Sequence, residues 1–251
     1  QDKSGMSTAL NRIGCAQIDD NKKLEYLKES LKYAEEIEDE MLQLPPLINI
    51  GNNYRNNGDL DNAIQYHRKV ITLNEKMGIK RCGALNNLGF DYQNMGEYDK
   101  ALTYYNRSMK IANNLGENQK LYVLYYMLGH FELEKENYKQ SLSYFKKSRD
   151  IALELGFSEK WFRYYHLYLS LLKKIMGIAF NEKKVLIHIN NMKKGKELDF
   201  IDNYYIYQLL EEKSYIKTAY NEIQETAGNL EPDVAAKFLS YPIPSAIVEE
   251  W

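Results

Sequence analysis

One two-helix pattern recurs along this chain at a nearly constant pitch, and no other feature narrows the possible folds as much. Gly51, Ala63 and Gly78 return 38 positions later as Gly89, Ala101 and Gly116, and these return 40 positions later as Gly129, Ser141 and Gly156. A pitch of roughly 20 to 50 residues marks stacked supersecondary units, because one unit alone cannot bury its apolar face. The spacing inside a unit says what it is made of. Tyr98, Ala101, Leu102, Tyr105, Met109 and Ala112 fall at helical intervals and form one apolar stripe, preceded by a shorter stripe of Leu85, Leu88, Gly89 and Tyr92. Each unit is therefore predicted to be an antiparallel pair of helices. Asn57-Gly58 and Met95-Gly96 mark the turns within pairs, and Gly78, Gly116 and Gly156 close the second helices. In the third pair, Asn137 is expected to replace the inner-turn glycine.

Around these three units the pattern is looser. Residues 1–40 read as a degraded first hairpin, with Leu10, Ile13 and Gly14 aligned to Leu47, Ile50 and Gly51, and with Tyr26 where a small residue is expected. Pro45 and Pro46 are expected in the first turn of the next helix, where proline is tolerated. Residues 45–156 hold the three clear units. Two irregular hairpins follow over 157–228, beginning with a helix over 158–174 that is apolar on several faces and includes Trp161 and Phe162, and pausing at Gly195. Residues 229–251 read as a cap, a short helix from Pro232, a break at Tyr241-Pro242-Ile243-Pro244 and a last turn or two, since a repeat array needs its open end covered. The expected fold is all-α, a right-handed superhelical solenoid of about six antiparallel hairpins and a cap, forming one domain.

The repeated residues resemble the tetratricopeptide repeat family. Its order of large apolar residue, Leu-Gly, Tyr, small residue and aromatic is matched by Leu85, Leu88, Gly89, Tyr92, Ala101 and Tyr105, by Leu47, Ile50, Gly51, Tyr54 and Ala63, and by Leu128, Gly129, Ser141 and Phe145. Glu132 stands where the tyrosine belongs, and His67 where an aromatic does. The units exceed the usual 34 residues by about one helical turn, a length similar to that in bacterial peptide-responsive regulators and signalling ATPases.

Composition excludes several other functions. Thirty-three basic against 35 acidic residues leave a net charge of −2, with both signs interspersed, so no broad positive field draws nucleic acid. The apolar runs are too short for a membrane span. Cys15 and Cys82 make no disulfide framework, and a reducing, cytoplasmic setting is expected. Beginning at Gln1, the chain is expected to be part of a longer protein. No phosphate-binding glycine loop, nucleophile elbow, zinc-binding H-E-x-x-H or C-x-x-C motif is present. Neither catalysis nor a cofactor is expected, and the histidines lack metal-ligand spacing.

What remains is binding, and here the resemblance implies the residues. In the family, first helices line a concave groove. Carried over position by position, the groove takes Asn52, Arg55 and Asn56 from the first clear unit and Asn86, Phe90, Gln93 and Asn94 from the second. The third contributes Tyr126, His130 and Glu134. With Leu169 in place of the glycine, the next contributes Arg163, His166, Ser170, Lys173 and Lys174. Asparagines donate and accept together, which suits an extended peptide backbone. Arg163, His130, His166 and Lys173 would make one end of the groove positive, suited to a carboxylate or phosphate. The two-carboxylate clamp found in some family members is absent, because Ile48, Phe90, Tyr126 and His130 occupy its basic and amide positions. His67, on a second helix, reads as a packing residue. The expected function is a non-enzymatic scaffold holding a protein or peptide partner in the groove as a regulatory module, and the alternative is a sensor domain for a short peptide or small anionic effector.

Overall fold

In the computed structural model, residues 2–17, 19–157, 163–194 and 198–251 are described, apart from the side chain of Arg163. Trp161, Phe162 and Gly195, and the first residues of the helix expected over 158–174, lie outside this range. Among the described residues there are fourteen helices and no strand. The chain divides into two compact units, residues 1–104 and 105–251, and the division falls inside one helix.

The first unit holds α1 (Lys3–Ala16), α2 (Asp20–Glu36), α3 (Glu40–Asn56), α4 (Leu60–Lys76), α5 (Gly83–Asn94) and the beginning of α6 (Tyr98–Leu115). α1 pairs with α2 and α3 with α4, while α2 packs on α3 and α4 on α5. The starts are set by aspartates: Asp19, Asp39 and Asp59 each accept backbone N–H groups of the first turn. The stops within pairs are set by residues in the left-handed region, among them Gly58 at φ 81° and Gly96 at φ 79°. Leu27, Leu31, Leu44, Leu47, Ile50, Val70 and Ala84 form the core. In the first hairpin the close crossing is made by Ser7 and Ser30, both buried, each hydroxyl donating to the other's carbonyl at 2.8 and 2.7 Å.

The second unit begins in α6 and continues with α7 (Asn118–Glu134), α8 (Tyr138–Glu154), α9 (Arg163–Ile175), α10 (Glu182–Lys194), α11 (Phe200–Leu210), α12 (Lys213–Gly228), α13 (Pro232–Leu239) and α14 (Pro242–Glu250). α7 pairs with α8, α9 with α10 and α11 with α12. α8 and α11 both pack on α9, and α13 and α14 close over α12. At Gly129 a Cβ would lie 2.8 Å from the ring of Phe145, so this glycine is what lets α8 approach α7. Beside it, the Ser141 hydroxyl donates to the Gly129 carbonyl at 2.6 Å, which satisfies a buried polar group at the position that alanine holds in the other clear units.

Three local expectations are corrected. Pro45 and Pro46 lie inside α3 rather than in its first turn, because Asp39 captures the Leu42 amide at 2.9 Å and starts the helix at Glu40. Each proline then forfeits a helical hydrogen bond. The inner turn of the third clear hairpin is made by Glu136, at φ 59°, and not by Asn137. Glu136 stands 40 positions after Gly96, and repeat register outweighs residue preference there. At the end of the chain, Pro242 and Pro244 do not break structure but open α14, with Tyr241 as its cap, since a first-turn amide needs no helical partner.

Candidate functional site

In the first unit the predicted groove residues fall into two groups. Arg55 of α3 reaches across to α5: Nη1 donates to Asn52 Oδ1 at 3.1 Å, Nη2 to the Asn87 carbonyl at 3.0 Å, and Nε to Asp91 Oδ1 at 2.5 Å. The guanidinium also sits 5.2 Å over the ring of Phe90. Asn52, Arg55 and Phe90 are thus brought together, with Asn56 exposed and Asn94 half-buried along the same two helices. Asn86 and Gln93 are buried, at 4% and 0% exposure, and so are not open groove residues. Their helix is pressed against α4, and a first helix has only one free face.

Arg55 is not a free cation either. Asp91 is fully buried and also accepts from His67 Nδ1 at 2.5 Å, so the three side chains form one closed polar network. Burying Asp91 without both donors would carry a large desolvation penalty. His67 fills the ring position of its unit, as expected of a packing residue. Its Nε2 has no hydrogen-bond partner and faces Gly51, where a Cβ would stand 2.6 Å away. Sequence reasoning missed Asp91. The available signal was the histidine itself, since an imidazole at a buried aromatic position calls for a polar partner from a neighbouring helix.

In the second unit α7, α9 and α11 bring Tyr126, His130, Tyr168 and Tyr205 into one aromatic cluster. The His130 ring lies 4.1 Å from Tyr168, 4.7 Å from Tyr126 and 5.2 Å from Phe145. Tyr126, His130 and Glu134, on successive turns of α7, stay partly accessible, whereas Tyr168 and Tyr205 are buried. The surrounding rings desolvate the His130 imidazole and push it down to about 3, so it is neutral at pH 7. Beside the cluster, Asp202 is buried and accepts from the Tyr168 hydroxyl at 2.8 Å. Burial, with the Asp199 carboxylate nearby, pushes Asp202 up to about 8. The positive groove end expected around His130 is therefore not formed there. The histidine is uncharged and its ionisable neighbour is an acid. Asp202 escaped the sequence reading because α11 carries none of the repeat's landmarks.

His166 and Lys173 lie elsewhere on α9. Counting 100° per residue, His166 is turned about 200° from Tyr168, and with Ser170 and Lys173 it lines a cleft of about 420 Å³ among α8, α9 and α10. Arg149, Lys184 and Asn181 line it too. The His166 and His188 rings stack at 4.1 Å, 11° from parallel. Lys174 turns away and caps α11, donating to the carbonyls of Gln208 and Leu209 and to Glu211. Arg163 belongs to α9, and its side chain is outside the described residues. Among the described residues no group of three metal-ligating side chains occurs, and no helix is long and apolar enough to cross a membrane.

Comparison with known proteins agrees with the repeat pattern. Tetratricopeptide repeat models match residues 44–77 and 81–154. No curated protein sequence matches the chain. Among solved structures, the chain is similar to a Rap protein complexed with Competence and Sporulation Factor, with TM-score 0.64 and 18% identity over 96% of this chain and 74% of that one. It is likewise similar to the apo form of RapI, with TM-score 0.62 and 16% identity over 99% and 84%. A third is a signal transduction ATPase with numerous domains and a tetratricopeptide repeat sensor from Pyrococcus horikoshii, with TM-score 0.60 and 17% identity over all of this chain but 38% of that one. At such identities the likeness speaks for the fold. Residues 44–77 and 81–154 thus carry tetratricopeptide repeats, with Leu-Gly pairs, glycine stops and helical hairpins in the family's order, within an all-α chain of repeated helical hairpins.

Proposed function

We propose that the chain is a non-enzymatic scaffold that holds an extended segment of a protein partner along its first helices, as a regulatory module of a larger signalling protein. The observation that carries this reading is the α7 row of Tyr126, His130 and Glu134, partly accessible and backed by a layer of buried rings. A neutral imidazole and a phenol each donate and accept, which matches a peptide backbone. Aromatic anchors held by packing lose little entropy on binding. In the first unit, Asn52, Asn56 and Phe90 offer amide side chains beside a ring. The regulatory part draws support from the similar structures, one a Rap protein bound to a factor and another a signalling ATPase whose repeats are named a sensor.

The test is site-specific photocrosslinking in cells that make the full-length protein. Benzoylphenylalanine is placed at Asn56, Phe90 or Tyr126, and at the exposed second-helix residues Lys69 and Lys146 as controls. Discrete protein adducts from the first-helix positions alone are expected. Equal labelling at Lys69 and Lys146, or no adducts at all, would count against the groove.

A further inference from the structure

The cleft among α8, α9 and α10 adjoins the Tyr126–His130 row, since Tyr165 of its lining lies 5.3 Å from Tyr126, but it is built differently. We infer that it binds a small organic anion, a phosphate or carboxylate head carried on an apolar body. Among the described residues three cationic side chains line it, Arg149, Lys173 and Lys184, and no carboxylate does. Arg149 is partly neutralised by Asp150, whose Oδ1 accepts from Nη2 at 2.7 Å and from Nε at 3.1 Å. Lys173 and Lys184 have no ion pair among the described residues. Two ammonium-bearing side chains lining one concavity raise its positive potential, and a bound anion would meet it.

The polar groups are complementary as well. Ser170 adds a hydroxyl. The start of α10 enters the cleft through Asn181, Lys184 and Val185, with Asn181 Oδ1 accepting from the Lys184 amide at 3.0 Å and fixing the lysine's place at the rim. The other half of the lining is apolar, from Leu153, Leu169, Phe180 and Val185. A volume of about 420 Å³ lies within the range of small-molecule sites. A bare inorganic ion would leave that apolar half in water. A phosphate or carboxylate on an aromatic ring would use both halves.

The experiment is a calorimetric titration of the chain with phenyl phosphate, with benzoate as the carboxylate arm and benzyl alcohol as the neutral control. Saturable binding of one equivalent is expected for one or both anions, weakening with added salt, with none for benzyl alcohol. The better of the two identifies the head group. Lys173→Gln with Lys184→Gln should weaken binding about tenfold or more, since each removes one charge-assisted contact. Lys183→Gln, an exposed change on the same helix turn that does not line the cleft, should leave it unchanged. Circular dichroism melts confirm that all variants fold. Absence of saturable binding, equal affinity for benzyl alcohol, or equal losses from Lys183→Gln and the double variant would overturn the inference. Because the crosslinking positions of the scaffold reading lie outside this cleft, either idea can fail without the other.

Discussion

Asp91→Ala is the sharpest test of how the first unit is held together. The substitution removes the acceptor shared by Arg55 Nε and His67 Nδ1 and leaves both donors in place, in a spot where Asp91 is fully buried and the Arg55 side chain is 11% exposed. Truncating one partner of a buried ionic network strands the other charge and costs about 3–5 kcal/mol. In a chain of this size each kcal/mol moves the melting temperature by roughly 2–4 °C, so a fall of roughly 6–20 °C is expected. Urea unfolding followed by far-UV circular dichroism gives the energy. A double-mutant cycle with Arg55→Ala shows where it comes from: if the cost is a stranded guanidinium, Arg55→Ala on top of Asp91→Ala should add much less than it does alone. The apolar triple variant Arg55→Met, His67→Phe, Asp91→Leu should recover most of the loss, because the network's own desolvation cost disappears with it. An Asp91→Ala loss below about 1 kcal/mol, or strict additivity in the cycle, would refute the view that this network is closed and desolvated.

Three further outcomes follow from the geometry. Gly129→Ala drives a methyl to within 2.8 Å of the Phe145 ring and should destabilise the second unit by about 1–3 kcal/mol, with Phe145→Leu on the same chain restoring part of it in thermal melts. Glu136→Gly should stabilise by about 0.5–1 kcal/mol in urea titration, because Glu136 is held at φ 59° where glycine is unstrained. Stability should also depend on pH in a signed way. Asp202, raised to about 8, binds its proton in the folded chain but not in the unfolded one between its ordinary range and pH 8, so its contribution declines as pH rises through that window. His130, lowered to about 3, contributes in the opposite sense, its stabilisation being lost as pH falls from about 6.5 towards 3. Above pH 6.5 only the first trend remains of the two, and Asp202→Asn should reduce the decline in melting temperature between pH 6.5 and 8. Glu222, pushed up to about 7 by burial, adds to the decline at the lower end of that window.

The sequence by itself determined the helical hairpins, their pitch and most of their stops, because these depend on local rules: apolar residues at helical intervals, aspartate at starts, glycine where φ must be positive. Even Glu136 obeys the register, though its side chain disfavours that conformation. Which groove residues are open to a partner was decided only by tertiary structure. Asn86 and Gln93 have the right spacing but are buried, and Arg55 is captured by an aspartate 36 positions away. His130 and His166 follow the same sequence logic, yet one is discharged by surrounding rings and the other lines a basic cleft on a different face of α9. Periodicity tells which way a side chain leaves its own helix. Its charge and its freedom are set by what the neighbouring helices bring to meet it, and those neighbours are dozens of residues away along the chain.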